Sequence, residues 1–166
     1  MKRKNILFTG SPGCGKSTLI EKIVARTKRP AVGFFTREIQ ERGRRVGFSI
    51  YTLNGKEGVL AHQNIKSRYK VGKYGVNIQE IDSVAVPAMH TDNEKVVVVI
   101  DEIGKMECFS PLFEDAVLRV LNSKNPVLGS IPLSGGPFIG KIKRRDDILI
   151  VEVTKDNRDS LVGKFV

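Results

Sequence analysis

The sequence has no tryptophan, and its 166 residues include only two cysteines, two histidines and seven prolines. Cys14 and Cys108 are too few for the dense disulfide framework of a small secreted domain. No secretory signal precedes them, so a reducing, cytoplasmic setting is expected. His62 and His90 stand far apart without an accompanying cluster of Cys or acidic ligands, which leaves zinc unsupported, and neither belongs to a triad-like arrangement. The longest strongly apolar run, Val96 to Ile100, is far short of membrane-spanning length. Acidic residues are scarce beside basic ones: 18 Asp and Glu against 28 Lys and Arg leave a formal charge of +10. Such a surplus attracts polyanions, nucleoside triphosphates and nucleic acid alike, and does not choose between them.

What is present fits one globular α/β domain over residues 1–166, since hydrophobic residues make up 40% and charged residues 28% of the chain. KNILFTG at 4–10 reads as a strand, and Leu19, Ile20, Ile23 and Val24 recur at helical spacing over 16–28. AVGFFT at 31–36 is a second strand, and the charged stretch from Arg37 to Arg45 reads as a turn or exposed loop. Asn54-Gly55 between VGFSIYTL and GVLAH favours a hairpin, giving a β-rich insertion. Val96 to Ile100, β-branched and unbroken, suits a central parallel strand covered on both faces. Ser110-Pro111 reads as the cap and first residue of a helix whose apolar face runs from Leu112 to Leu121. Strands are expected over 127–131 and 148–153, joined by a flexible basic connection.

The strongest chemical signal is Gly10-Ser11-Pro12-Gly13-Cys14-Gly15-Lys16-Ser17, a complete GxxxxGK(S/T) Walker A motif between the first strand and the first helix. Its glycines let successive backbone N–H groups face phosphate oxygens at the helix entrance. Lys16 can reach the β and γ phosphates, Ser17 is the expected ligand of Mg2+, and Thr18 is a supporting phosphate contact. The second signal is VVVVIDEIGKME at 96–107, where Asp101 fits a Walker B acid holding hydrated magnesium and Glu102 fits the group that orients or deprotonates water. Asp101 to Gly104 also reads DxxG. In Thr154-Lys155-Asp156-Asn157, however, Asn157 stands where a guanine-selecting acid would be, which disfavours a small GTPase of the usual pattern without excluding GTP as substrate.

GSPGCGKST at 10–18, GFFTREI at 33–39, RRVGF at 44–48, VGKYGV at 71–76, DEIGKME at 101–107 and VEVTKDNRD at 151–159 together resemble the THEP1-like nucleoside-triphosphatase family. The resemblance implies a RecA-like P-loop fold, a mainly parallel sheet with helices on both faces, and magnesium-dependent hydrolysis of ATP, GTP and other triphosphates with broad base tolerance. It also matches Gly13, Gly15, Lys16, Ser17 and Thr18 to the phosphate cradle, and Asp101 and Glu102 to the metal and catalytic acids.

Secondary candidates surround this core. Thr36, Arg37 and Glu38 could enter the catalytic mouth, with Arg44 and Arg45 weaker candidates. Among Lys143, Arg144 and Arg145, Arg144 is the expected arginine finger and Arg145 its substitute. Asn157 and Arg158 could contact or stack on the base, and Lys73 and Tyr74 could support a pocket edge. Competing readings are a small-molecule P-loop kinase and a nucleotide-dependent switch that binds RNA or protein; no RNA-binding motif accompanies the basic charge. A monomer is expected, an oligomer left open, and no membrane association is foreseen.

Overall fold

Residues 3–165 are described by a computed structural model. In chain order the elements are β1 (Asn5–Thr9), α1 (Lys16–Arg26), β2 (Ala31–Glu41), β3 (Arg44–Thr52), β4 (Glu57–His62), β5 (Lys70–Val71) and β6 (Tyr74–Val76). A helical segment follows, built from α2 (Ile78–Glu80), a π-helical turn (Ile81–Ala85) and α3 (Val86–Ala88). The chain continues through β7 (Val97–Ile100), a 3-10 turn (Glu107–Phe109), α4 (Pro111–Asn122), β8 (Val127–Ser130), α5 (Pro137–Lys143), β9 (Ile148–Glu152) and α6 (Arg158–Phe165).

All nine strands form one sheet, ordered β5-β6-β4-β3-β2-β7-β8-β1-β9. The half from β2 to β9 is parallel throughout, and β8 lies between β1, which leads into the glycine-rich loop, and β7, which leads into the acids. That arrangement is the expected P-loop architecture, with the apolar β7 strand in the interior of the parallel half. The remaining strands pair antiparallel and form the β-rich wing. Leu19, Ile20 and Ile23 of α1 and Leu161 and Val162 of α6 pack with Phe8, Val99 and Leu128 on one side. On the other, Phe113, Val117 and Leu121 of α4 join Ile81 and Ile142 against Leu7, Val98 and Ile100. Each such aliphatic or aromatic side chain contributes about 1.5–3 kcal/mol on burial.

Ser110 caps α4 by accepting a hydrogen bond from the Phe113 N–H at 3.1 Å, as the Ser-Pro pair implies. Leu112 departs from the expected apolar face and is exposed. Two larger corrections concern connections. The segment from Arg37 to Glu41 is the outer half of β2, and only Arg42-Gly43 forms the turn to β3. At the surface Glu38 pairs with Arg45 across the β2–β3 ladder and Arg37 with Glu21 of α1, so no apolar alternation marks the segment as strand. The basic connection before β9 contains α5, started by Pro137 and anchored by the buried Ile139 and Ile142. The sequence reading also did not resolve the segment from α2 to α3, which buries Ile81 and Ala85 in the core but is broken into short α- and π-helical turns, or the short α6, which buries Leu161 and Val162. Among the described residues no helix is long and apolar enough to cross a membrane.

Candidate active site

The ends of β1, β7 and β8 converge at one edge of the sheet, where parallel α/β folds present their ligand sites. The ladders extend past the strands: Asp101 N–H donates to the Phe34 carbonyl at 3.2 Å, Ile103 N–H to that of Ser130 at 2.9 Å, and Val153 N–H to that of Thr9 at 2.7 Å. The residues that follow each strand are therefore held as firmly as the strands.

Gly10 turns the chain out of β1 at φ 154°, where a Cβ would stand 2.6 Å from the Val153 carbonyl oxygen and 2.8 Å from Cys14 Sγ. Gly15 caps α1 in the left-handed region with no side-chain acceptor on the first-turn amides. Those N–H groups and the helix dipole face the mouth, as anion binding requires. Lys16 Nζ donates to the Gly10 carbonyl at 2.9 Å and lies 3.9 Å from a Glu102 carboxylate oxygen, so its charge stays inside the loop. The Cys14 thiol is buried beside Phe8 and Leu19, the packing role expected of it, and its N–H donates to the Ser11 carbonyl at 3.1 Å.

Asp101 is buried, and its Oδ1 accepts a 2.5 Å hydrogen bond from Ser130 Oγ. Oδ2 is equally enclosed and has no hydrogen-bond partner. Burial raises the Asp101 pKa, while Ser130, the nearby Ser17 hydroxyl and the Lys16 charge pull it back down. Joined to Asp101 by a cis peptide, Glu102 is raised by burial and by Asp101, with Lys16 opposing. Sequence reasoning missed Glu107 and Ser130. Glu107 is buried, accepts from the Gly104 N–H at 2.9 Å, and is pushed well above the carboxylate range by burial and by Glu102. A Cβ at Gly104 would lie 2.6 Å from Glu107 Oε2 and 2.9 Å from Glu102 Oε1, so the two acids flank the same backbone position. An acid set between Met106 and Cys108 in a run that packs inward was the available signal for Glu107.

A cleft of about 630 Å³ spans the P-loop residues Gly10, Pro12, Gly13, Lys16 and Ser17, the acids Glu102 and Glu107, and the turn at Leu133. Thr36, Arg37 and Glu38 line its far wall with Arg45, as expected of the family-like segment. Three of these are already paired: Arg37 with Glu21 at 3.0 Å, and Arg45 with Glu38 at 3.2 Å and with the Tyr74 hydroxyl at 3.0 Å. Lys73 lies over the Tyr74 ring in the β5–β6 hairpin. Arg44, at the β2–β3 turn, is exposed.

The basic segment is placed differently from the expectation. Arg144 is exposed, with its guanidinium beside Gly140 of its own helix, and it does not line the cleft. Arg145 is held by Asp147 through bonds of 2.8 and 2.7 Å and by Asn122 at 2.9 Å, which fastens it to the opposite end of the sheet edge. Asn157 is likewise occupied, accepting from Thr154 N–H at 2.8 Å and donating to the Glu152 carbonyl at 2.9 Å, so its amide shapes the loop before α6. Arg158 does reach the P-loop: its Cδ would meet a Cβ on Gly15 at 3.2 Å, and it lines a groove with Thr18, Lys22 and Asp159. A second depression runs from Ser11, Pro12 and Gly13 to Thr154 and Lys155.

A family model described as NTPase matches residues 5–166. The chain is 43% identical over 162 residues to the nucleoside-triphosphatase THEP1 of Thermotoga sp. strain RQ2, covering 97% of this chain and 92% of that protein. It is 36% identical over 180 residues to the cancer-related nucleoside-triphosphatase of Homo sapiens, covering 98% and 95% respectively. The crystal structure of THEP1 from Aquifex aeolicus superposes with a TM-score of 0.88 at 38% identity, covering 98% of this chain and 96% of that one. With a P-loop, two acids and a third strand between them in the family's own fold, the chain belongs to the NTPase family and is a nucleoside-triphosphatase.

Proposed function

We propose that this enzyme hydrolyses nucleoside triphosphates in a magnesium-dependent reaction with broad base tolerance, using Lys16, Ser17, Asp101 and Glu102 in separate roles. The observation that carries the reading is the enclosed, unpartnered Asp101 Oδ2 beside Ser17 and Lys16. A buried carboxylate oxygen left unsatisfied is costly unless a cation or donor completes it. Asp101 and Ser17 offer the hard oxygen donors that magnesium prefers and would hold it. When bound, the ion neutralises charge on the β and γ phosphates.

The chain's own groups do the rest. Gly13, Gly15 and Thr18 cradle the phosphates through the loop and the first turn of α1. Lys16 balances phosphate charge, and Glu102 orients the attacking water and takes its proton, a role suited to a carboxylate whose pKa lies above the ordinary range. Base tolerance follows from Arg158, whose guanidinium plane can stack on any base, with no acid at Asn157 to select guanine.

Phosphate release from ATP, GTP, CTP and UTP, measured across magnesium concentrations, tests the reading. K16A is expected to lose triphosphate affinity by at least about tenfold, and D101N to require far more magnesium at an unchanged fold by circular dichroism. Turnover that persists in a chelator, or K16A with parental affinity, would refute it.

A further inference from the structure

Lys16 and Lys105 are the ammonium groups among the side chains that line the cleft, and a third, Lys143, stands outside that lining but is bonded to its Leu133 wall. Lys143 ends α5 and is partly buried, and its Nζ donates to the Leu133 carbonyl at 2.6 Å. Leu133, with Pro132 and Ser134, forms the cleft wall facing the P-loop. Every ion pair among the described residues involves other side chains, so Lys143 has no carboxylate to neutralise it. Burial lowers its pKa, and the positive charge of Lys16 lowers it further. The Lys143 and Lys16 ammonium groups thus stand near enough for their like charges to interact, with Lys143 held on the Leu133 wall of the cleft. Such an arrangement is unfavourable when empty and favourable around a polyanion.

We propose that Lys143 is a catalytic cation supplied in cis: tethered by the Leu133 carbonyl, its ammonium contacts the γ-phosphoryl oxygens from the side opposite Lys16. The inference rests on the triphosphate lying along the P-loop, as proposed above. Water oxygen bonds to the γ phosphorus as the bond from phosphorus to the β–γ bridging oxygen breaks. The electron pair departs with the nucleoside diphosphate, and the water proton passes to Glu102. Lys143 exchanges no proton in this step. It stabilises negative charge that is spread over the transferring group in the transition state, and an ammonium with three donors can do so while keeping its carbonyl tether. The role assigned from sequence to Arg144 falls instead to the preceding residue, because α5 directs Lys143 to the turn and leaves Arg144 in solvent.

The test compares K143A, K143Q, K143R, R144A and K141A, the last removing an exposed positive charge from the same helix. Three quantities are read: single-turnover phosphate release, affinity for ADP with magnesium alone, and affinity for ADP with magnesium and aluminium fluoride, a mimic of the transferring phosphoryl group. K143A is expected to slow the chemical step about a hundredfold and to lose a comparable share of the extra affinity conferred by aluminium fluoride, with ADP affinity unchanged. K143Q, which retains a donor for the Leu133 carbonyl without the charge, should be as slow, K143R partly restored, and K141A parental. The proposal is overturned if K143A and K143Q keep parental chemistry and mimic affinity, if K143Q restores what K143A loses, or if R144A carries the defect. Failure of the underlying reading would show separately, as a parent enzyme without triphosphate turnover.

Discussion

Replacing Glu102 by Gln separates binding from chemistry, because Glu102 is placed to do opposite things to the two. Its carboxylate lies 3.9 Å from Lys16 Nζ, with side chains 29% and 13% exposed. Two unit charges at about 4 Å attract by about 4 kcal/mol at an effective dielectric constant of about 20 and by about 1 kcal/mol in water. In the empty site part of the Lys16 charge is thus committed to Glu102, and a triphosphate must compete for it while approaching a negative carboxylate. E102Q removes both penalties. With screening at the partly open mouth, the expected net gain is about 1 kcal/mol, roughly fivefold tighter triphosphate binding. Hydrolysis should fall by about 10²–10⁴, the usual contribution of a positioned general base. Isothermal titration with the slow variant, beside single-turnover phosphate release, measures both. The parent rate should also fall as pH drops through the raised pKa of Glu102, while the residual E102Q rate should lack that limb. Parental turnover in E102Q would remove Glu102 from the chemistry, and weaker binding would show that Lys16 and Glu102 do not compete as argued.

Other substitutions probe the supports of the site. S130A removes the 2.5 Å hydrogen bond that Asp101 Oδ1 accepts, leaving that buried oxygen short of a donor; a loss of about 1–3 kcal/mol by urea denaturation is expected, with a weaker response to magnesium. Glu107 holds its proton far above the ordinary carboxylate range when folded, so the stability it provides is complete below the unfolded pKa of about 4.5 and drains away as pH rises towards its folded pKa. E107Q, whose amide oxygen can still accept from Gly104 N–H, should therefore gain stability over the parent as pH rises through that window. A difference that stays flat with pH would contradict the assignment.

The phosphate loop and its two acids were legible because each couples a distinctive local sequence to a strongly patterned neighbour: β1 and α1 flank Gly10 to Ser17, and the unbroken apolar β7 delivers Asp101. What escaped was set by tertiary contact. Arg37 to Glu41 looks like a loop because its partner strand β3, and not a buried face, makes it extended. Arg144 and Lys143 are equivalent in sequence, and only the short helix α5 distinguishes them, through a carbonyl ten residues upstream of Lys143. Asn157 carries the chemistry of a base contact, yet its amide closes hydrogen bonds inside its own loop. The proximity of Glu107 to Glu102 likewise depends on the 3-10 turn folding the chain back under Gly104.

The outer half of β2 makes the two walls of the cleft unlike. Ala31 to Phe34 are laddered to β7, and the same uninterrupted strand carries Thr36, Arg37 and Glu38 onto the far wall while pairing with β3 along its length. That wall is a cantilever rooted in the parallel core, and swinging it would break backbone bonds along the ribbon. The opposite side has no such root, because the chain from Pro132 to Gly136 runs outside any strand and is held near the mouth by the Lys143 tether. The cleft therefore has one wall of laddered strand and one of irregular chain, whose position near the mouth is set by a side chain from the next helix rather than by the sheet.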